Sequence, residues 1–541
     1  MNRREIIKSL SVFPLAGGAV TMGSALAGPA PLTENGLKTG KENIYEAIGL
    51  ETIINCRGTF TIIGGSTERP EVIEAIEAAT GYFAQYDELA FAIGKKLAKL
   101  TQAEWGMVSA GCASGMRHVT AACIARGNPE KLIRIPDLTG FDKTEVIIPK
   151  YSRNVYDHAI RNNGVTIIEV ETPEELIEAI NPRTAMIYIM TGPESEPGRP
   201  LSTEAIAKIA KPKKVPVFVD AAAEDLSIPN IHLQQGADIV AYSGGKALCG
   251  PQCAGLLLGN KELLMSAWQA SSPHHGPGRD SKVGKEEMFG MVAAVEAWIS
   301  RDHDAEWQTW LSWMDTIAKK VKEIDGVTTE VQQPTNGLNN RCPRLVISWD
   351  PNKLNISGDD LAEELARNAP RVAIGSGGDE KLTSVNITPS QMRPGNDKTV
   401  ANRIHGVLSQ KRPPRTLELK SPSVNVGDRW EVTVKFFSSE SKHTLLLEQD
   451  GNWVQGLHQG DFSVREVVGM VEGDVVKLRS VDSQSGDSIT FIFTGTVTGE
   501  TMSGSVFMGE YLTAEFSAKR NNTYKNARQR VVVPGGPPLA T

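Results

Sequence analysis

The middle of the chain alternates short apolar strands with amphipathic helices, and this alternation restricts the fold more than any other feature. Strand-like runs begin at Glu145, Val165, Ala185, Val215 and Ala237, with helical segments between them, the first predicted over residues 151–160. A strand–helix–strand repeat at this spacing predicts an α/β fold, with a mostly parallel sheet and helices on both faces. Ligands of such sheets bind at the carboxyl ends of the strands.

Charged residues follow two of these strands. One strand ends in Asp220, and the next, Ala237–Val240, leads into a glycine-rich loop that carries Ser243 and Lys246. This pattern is typical of pyridoxal-phosphate enzymes, in which a lysine holds the cofactor as a Schiff base and an aspartate pairs with the pyridinium nitrogen. For either residue alone, a strand-end aspartate or a surface lysine in a glycine turn is the alternative. Together they predict a pyridoxal 5'-phosphate site.

Residues 106–116 are predicted to form a strand, a tight turn and the start of a helix. Small residues let the backbone approach a ligand, and a helix N-terminus offers free N–H groups with a partial positive charge. The turn at 109–114 therefore predicts a phosphate site, to which the hydroxyl of Ser243 adds a donor. The alternative is a Gly/Ser-rich helix start that serves capping alone.

The length and charge of the chain limit its class. A chain of 541 residues exceeds the roughly 250–300 residues of a single core, so we expect more than one domain. The net charge of −7 and the lack of a basic patch argue against a nucleic acid or an anionic membrane as partner.

The first 27 residues have the pattern of a twin-arginine secretory signal. Arg3 and Arg4 precede a mildly apolar run, and Ala25-Leu26-Ala27 is a small-x-small cleavage site. An amphipathic first helix is the alternative, but Pro14 interrupts it. We therefore predict a periplasmic protein without membrane attachment after cleavage.

The six cysteines are too few and too scattered to predict a disulfide framework. There is no Cys-x-x-Cys pair, and Cys249 and Cys253 have no histidine nearby, which argues against a zinc site. We expect no metal, and cysteines that pack as small hydrophobic residues.

The end of the chain has a different character. Residues 429–519 contain strand-like runs separated by turn signals, which predict a small antiparallel β-barrel or sandwich. The predicted strands are 430–434, 444–448, 475–479, 489–494, 502–506 and 513–518. Partner contact, a lid or stabilisation are its expected roles. The predicted organisation is a signal (1–27), a lead-in (28–44), a large cofactor-binding domain (45–300), a small α+β domain (301–410), a linker (411–425), the β domain (426–521) and a flexible tail (522–541).

Four segments, residues 153–161, 220–224, 243–252 and 278–287, together resemble the D-glucosaminate-6-phosphate ammonia-lyase family and, more distantly, bacterial selenocysteine synthase. The resemblance covers roughly residues 45–405. It implies the aspartate-aminotransferase-like (type I) pyridoxal-phosphate fold. It also implies a homodimer or higher oligomer with sites near the subunit interfaces.

The resemblance implies roles for single residues. Lys246 would be the Schiff-base lysine and Asp220 the pyridinium partner. Tyr151 would stack on the cofactor ring or be an ordinary strand-end tyrosine, and His158 would be a helical histidine with its hydrogen bonds satisfied or a proton relay beside Asp157. The cofactor-phosphate turn would consist of Gly111, Cys112, Ala113 and Ser114.

Substrate contacts are expected from five further residues. The cationic ones are interpreted as clamps for a carboxylate, the alternative for residues 279–287 being a solvated helix start, and the glutamine is expected to fix the lysine loop. They are Arg57, Gln252, Arg279, Lys282 and Lys285.

These features predict a lyase that eliminates ammonia and water from a 2-amino-3-hydroxy acid, giving a 2-keto acid. An exported enzyme is not expected to meet a sugar phosphate, so an unphosphorylated amino acid or amino-sugar acid is the predicted substrate. Transamination, racemisation and aldol cleavage need the same lysine and aspartate and stay open. A non-catalytic exported binding protein is the alternative of another class.

Overall fold

The computed structural model describes residues 43–334, 337–379, 381–414 and 419–521. The predicted signal, nearly all of the lead-in and the predicted tail lie outside these ranges. The chain divides between residues 413 and 414 into two compact units. The domain boundaries drawn from the sequence stay predictions.

The first unit is an α/β structure. Its strands are β1 (Ile53–Asn55), β2 (Trp105–Ser109), β3 (Glu145–Pro149), β4 (Thr166–Val170), β5 (Thr184–Met190), β6 (Val217–Asp220), β7 (Ile239–Ser243), β8 (Gly255–Gly259), β9 (Thr328–Gln332), β10 (Arg344–Trp349), β11 (Arg371–Ala373), β12 (Gly375–Gly378) and β13 (Thr383–Ile387). Its helices are α1 (Pro70–Thr80), α2 (Tyr86–Thr101), α3 (Cys112–Ala125), α4 (Pro129–Leu132), α5 (His158–Arg161), α6 (Pro173–Ala179), α7 (Thr203–Ala210), α8 (Ile231–Gln234), α9 (Lys261–Ala270), α10 (Lys285–Ser300), α11 (His303–Val321), α12 (Pro351–Leu354), α13 (Gly358–Arg367) and α14 (Asn396–Leu408).

A seven-stranded sheet forms the centre of this unit, in the order β2-β8-β7-β6-β5-β3-β4. The pairs among β7, β6, β5, β3 and β4 are parallel, and only β8 runs antiparallel to its neighbours β2 and β7. Strand β6 is buried along its whole length because helices cover both faces of the sheet. The predicted mostly parallel α/β sheet is confirmed.

The region after α10 forms a smaller α+β lobe with its own buried core. Strands β12, β13, β10 and β9 make an antiparallel sheet in that order. Strand β1 lies in the range predicted for the large domain, yet it pairs in parallel with β11 of this lobe. The segment that follows β1 therefore links the small lobe to the large sheet.

The helix predicted over residues 151–160 does not form. Two short 3-10 turns occupy Lys150–Ser152 and Val155–Asp157, and regular helix begins only at His158. The Oδ1 atom of Asn154 accepts a hydrogen bond from the backbone N–H of Tyr156, with Asn154 itself in extended conformation. This local bond competes with the backbone hydrogen bonds of a helix, so the first 3-10 turn ends before residue 154 and a second one begins after it.

The second unit is a closed antiparallel barrel of eight strands, which decides between the predicted barrel and sandwich. Its core contains Trp430, Phe493 and Phe516. Two of its strands, β16 and β17, were not among those predicted. The strands are β14 (Asp428–Lys435), β15 (Glu440–Asp450), β16 (Trp453–Gln459), β17 (Val464–Glu472), β18 (Val475–Gln484), β19 (Asp487–Thr498), β20 (Thr501–Phe507) and β21 (Thr513–Arg520).

Within the described ranges, no helix is both long and apolar enough to span a bilayer. The same residues contain no group of three His, Cys, Asp or Glu side chains that could hold a metal ion.

Candidate active site

The strand register brings the sequence features together along one edge of the large sheet. Ser109, the last residue of β2, pairs with Gly255 of β8, and Gly255 pairs with Ser243 at the end of β7. In the adjacent pair, Ala241 of β7 lies beside Asp220 at the end of β6. The turn before α3, the Lys246 loop and Asp220 therefore all follow strand ends on the same edge.

Asp220 is a buried carboxylate, with 4% of its surface exposed. Its Oδ2 accepts a hydrogen bond from the Tyr188 hydroxyl at 2.9 Å, and its Oδ1 accepts from the backbone N–H of Ala222 at 3.0 Å. The Cys112 thiol lies 3.6 Å from the same Oδ1. All three donors are neutral, and no Lys, Arg or His of the described chain forms an ion pair with this carboxylate.

The donors to Asp220 stay protonated. Burial raises the pKa of the Cys112 thiol well above its usual range; the Asp220 carboxylate adds to the rise and the Lys246 ammonium opposes it. Burial, followed by the Asp220 charge, also raises the pKa of the Tyr188 hydroxyl. The charges of both Lys246 and Asp220 act on the Cys112 thiol. The Lys246 ammonium is therefore within electrostatic reach of Cys112, a donor to Asp220.

Tyr188 and Asn154 are site residues that the sequence analysis missed. The Asn154 amide donates to the Tyr188 hydroxyl at 3.3 Å, and that hydroxyl donates to Asp220. Tyr188 lies within the apolar strand β5 and resembles a core residue there. Its role emerges only because β5 and β6 are neighbours in the sheet.

Close backbone packing positions the Lys246 loop. A Cβ atom on Gly245 would lie 2.7 Å from the Cα of Gln252, so only glycine permits this approach. On the other side, the backbone N–H of Ser66 donates to the Gly245 carbonyl at 2.9 Å. Gln252 thus packs against the lysine loop, as expected for a residue that fixes it.

The Lys246 side chain is half-buried, and its ammonium has no hydrogen-bond or ion-pair partner among the described residues. Ser66, a third residue that the sequence analysis missed, is buried beside the same loop, and its Oγ has no hydrogen-bond partner in the described part of the chain. Glycine-serine turns are too common for Gly64-Gly65-Ser66 to have singled it out.

The turn before α3 has the conformation of an anion site. Gly111 has φ of 86°, and the first intrahelical bond runs from the N–H of Gly115 to the Gly111 carbonyl. The N–H groups of Cys112, Ala113 and Ser114 precede that bond and have no acceptor within the helix. A Cβ on Gly255 would lie 2.6 Å from the carbonyl carbon of Gly111, so glycine on β8 lets the turn approach the sheet edge.

This set of residues fits pyridoxal 5'-phosphate. A buried carboxylate with only neutral donors is costly unless a positive charge joins it, and a protonated ring nitrogen would supply that charge to Asp220. The N–H groups at the start of α3 and the Ser243 hydroxyl would hold the phosphate. The partner-free ammonium of Lys246 would form the covalent bond.

Two further predicted residues lie near this edge. Tyr151 follows β3 and is partly buried, with its hydroxyl donating to the Leu201 carbonyl at 2.7 Å. His158 is exposed, whereas the neighbouring Asp157 is fully buried and bound by two arginines. Both interpretations of His158 stay predictions. Stacking by Tyr151 stays a prediction.

The proposed carboxylate clamps are not brought into one cluster. Arg57 is exposed, with its guanidinium 4.7 Å from the centre of the Phe60 ring, and Lys282 is exposed. Arg279 is also exposed and reaches Ser272 Oγ at 3.4 Å.

Lys285, the remaining predicted clamp, is tied to neighbouring structure. Its ammonium donates to the Ala79 carbonyl at 2.8 Å and pairs with Glu286. These contacts attach the start of α10 to the end of α1.

Fold and site together define a type I pyridoxal-phosphate enzyme with the aspartate-aminotransferase-like fold, and its cofactor is pyridoxal 5'-phosphate. The model of the aminotransferase class-V family matches residues 159–280. A relative named D-glucosaminate-6-phosphate ammonia lyase, from Salmonella typhimurium (strain 14028s / SGSC 2262), is 29% identical over 333 residues, covering 60% of this chain and 86% of the relative. The resemblance noted in the sequence is thereby confirmed.

Two other similarities bear on the reaction. A Streptomyces protein named 5'-C-glycyluridine monooxygenase-decarboxylase is 27% identical over 385 residues, covering 69% of this chain and 94% of that protein. A solved structure of D-glucosaminate-6-phosphate ammonia-lyase superposes with a TM-score of 0.61 at 26% identity, covering 68% of this chain and 99% of that one. The named relatives catalyse different reactions, so fold and cofactor do not by themselves fix the chemistry.

Proposed function

We propose that the protein is an ammonia-lyase that eliminates water from a 2-amino-3-hydroxy acid. The resulting enamine takes up one water on hydrolysis and gives ammonia and a 2-keto acid. The observation that carries the proposal is that two groups follow strand ends on the same edge of the sheet. One is a lysine ammonium without a partner among the described residues, and the other is a buried carboxylate that has only neutral donors. A sequence relative and a solved structure that are similar to this chain both have the name D-glucosaminate-6-phosphate ammonia-lyase, which supports elimination over other reactions of this cofactor.

Bound pyridoxal phosphate supplies the electron-withdrawing ring that accepts the electrons released when the substrate loses its α-proton. The Lys246 amine would be the base that removes this proton. The Asp220 carboxylate keeps the ring nitrogen protonated, and the Tyr188 hydroxyl and Ala222 N–H hold that carboxylate in place. The proton held by Lys246 is then available to the departing β-hydroxide, which leaves as water.

The proposed substrate is an amino-sugar acid without phosphate, similar to D-glucosaminate. The choice rests on the name of the relative and on the predicted twin-arginine signal, which we propose sends the enzyme to the periplasm. Fractionation of cells that produce the chain with both Arg3 and Arg4 replaced by Lys tests the export step. A variant that still reaches the periplasm would contradict it.

The test of the reaction uses the purified protein loaded with pyridoxal phosphate. Borohydride reduction followed by peptide mapping is expected to label a peptide that contains Lys246. Unphosphorylated 2-amino-3-hydroxy acids, D-glucosaminate among them, are then assayed for ammonia and 2-keto acid without an added amino acceptor. Product formation only after adding a 2-keto acid acceptor would replace elimination by transamination, and a chain that takes up no cofactor would leave the binding-protein alternative.

We also propose that the enzyme is a homodimer. Several large apolar side chains near the start of the first unit are exposed, including Ile62 (80%), Tyr82 (76%) and Phe83 (101%). The proposal takes these side chains as parts of one apolar patch, and exposed apolar patches mark interfaces. Light scattering of the wild type is expected to give twice the chain mass, and Phe83→Asp to give monomer; a monomeric wild type would refute the dimer.

A further inference from the structure

The C-terminal barrel has a partly open cavity of about 300 Å³ that the proposed reaction does not use. A barrel of eight strands is wide enough to hold one small ligand, and 300 Å³ lies at the lower end of small-molecule sites. The polar part of its lining contains His443, Asp461, Arg465 and Asp482, and the rest is mainly aromatic.

A hydrogen-bonded chain fixes which groups face the cavity. Arg465 Nε donates to His458 Nδ1 at 3.2 Å, and the Ser480 hydroxyl lies 2.6 Å from the same nitrogen. His458 Nδ1 is thus an acceptor, so its Nε2 carries the proton and donates to His443 Nδ1 at 2.9 Å. The remaining proton of His443 is on Nε2, which lies 3.9 Å from Asp461 Oδ2.

The charges of this lining do not cancel. Burial lowers the pKa of His443, and burial and the nearby Arg465 lower the pKa of His458 to about 3, so both rings are neutral at pH 7. Arg465 pairs with Asp482 at 2.5 Å. Two carboxylates against one guanidinium leave one net negative charge. It belongs to Asp461, whose side chain is half exposed and whose only hydrogen bond among the described residues comes from the Ser441 hydroxyl.

Exposed aromatic rings surround that charge. Phe437 is 86% exposed and Phe462 is 94% exposed, and both line the cavity together with Phe436 and Tyr511. Aromatic rings that a soluble domain leaves in water mark a binding surface. Ring faces beside a carboxylate are the surroundings that an organic cation prefers.

We propose that the barrel binds a small organic ammonium compound, with the cationic nitrogen beside Asp461 and its apolar body against Phe437 and Phe462. An anion is not the ligand of this site, because Arg465 is already neutralised by Asp482 and its guanidinium stacks 4.5 Å from the Phe491 ring centre. The proposal does not depend on the reaction catalysed at Lys246.

The test titrates the full-length protein, loaded with cofactor, with benzyltrimethylammonium and follows binding by calorimetry. This probe has no N–H bond and cannot react with pyridoxal phosphate, so it reports on a site other than Lys246. We expect saturable 1:1 binding, weakened about tenfold by Asp461→Asn, which keeps the acceptor for Ser441 but removes the charge. Glu466→Gln is the matched control, because Glu466 is exposed on β17 and does not line the cavity.

Phe462→Ala gives an independent check, since this exposed ring contributes nothing to the barrel core, and weaker binding is expected. Neutral benzyl alcohol and anionic phenylacetate are expected to bind more weakly than the cation. The proposal is overturned if benzyltrimethylammonium does not saturate in the millimolar range, if phenylacetate binds as tightly, or if Asp461→Asn and Phe462→Ala both bind it like the wild type.

Discussion

Asp220 of the α/β unit and Arg465 of the barrel differ in how their charge is compensated. In the α/β unit, Asp220 is buried with only neutral donors around it. In the barrel, Arg465, which is 8% exposed, has its own carboxylate partner in Asp482. In the barrel, Asp482 compensates the charge of Arg465. In the α/β unit, the charge of Asp220 is left for a bound ligand to compensate.

The difference separates groups that maintain a fold from groups that serve a ligand. Removing one partner of a buried pair leaves the other charge without compensation and destabilises the fold. Removing a buried charge that has no partner costs the empty protein little and costs the ligand complex much. Of the two carboxylates that line the barrel cavity, Asp482 pairs with Arg465, and Asp461 is left for a ligand.

Lys246→Ala is expected to have the largest effect. Without the amine there is neither a covalent bond to the cofactor nor a base for the α-proton, so turnover should fall on the order of 10³-fold or more. Ammonia release and borohydride labelling measure both losses, with Lys208→Ala on the exposed face of α7 as control. Binding of benzyltrimethylammonium should be unchanged; its loss would show that the two sites are not independent.

Asp220→Asn should lower turnover on the order of 10²-fold, because a neutral amide cannot hold the ring nitrogen in its protonated state. The thermal midpoint of the cofactor-free protein should not fall, since the substitution removes a buried charge that has no ionic partner. A marked loss of stability in the cofactor-free variant would show that the Asp220 charge maintains the fold, as the Arg465–Asp482 pair does in the barrel.

Asp482→Asn should act in the opposite way, lowering the local free energy of unfolding of the barrel by about 2 kcal/mol by leaving Arg465 unpaired. Hydrogen exchange of β17 and β18 measures this effect separately from the other unit. Ammonia release should stay at the wild-type rate. The control is Asp474→Asn, an exposed residue in the turn between these strands; equal exchange in the two variants would mean that the pair contributes no stability.

Tyr188→Phe should have the smallest effect, about a tenfold loss of turnover, since it removes one hydrogen bond to the charged Asp220 and keeps the ring. Steady-state kinetics measure the loss. Tyr242→Phe is the control, because that buried hydroxyl bonds to Asn230 instead. If both variants lose activity equally, packing and not the bond to Asp220 is responsible.

Most of the fold could be predicted from the sequence. Strand–helix alternation, with each element's apolar pattern set by local periodicity, predicted the mostly parallel sheet, and turn signals predicted the C-terminal β domain. The helix predicted over residues 151–160 failed because the Asn154 side chain bonds locally to the backbone. Strands β16 and β17 were not found from the sequence.

The site residues also divide into those predicted from the sequence and those found only in the structure. The sequence by itself predicted the cofactor, which is confirmed. It also predicted Asp220 and Lys246 as the acid and the amine that this cofactor requires, because both follow apolar strands. Only the tertiary structure brought Tyr188 and Cys112 to Asp220, Ser66 to the lysine loop and Asp461 to an aromatic rim. Each of these depends on strand order or on contacts between distant segments, whereas sequence periodicity records only which face of its own element a residue occupies.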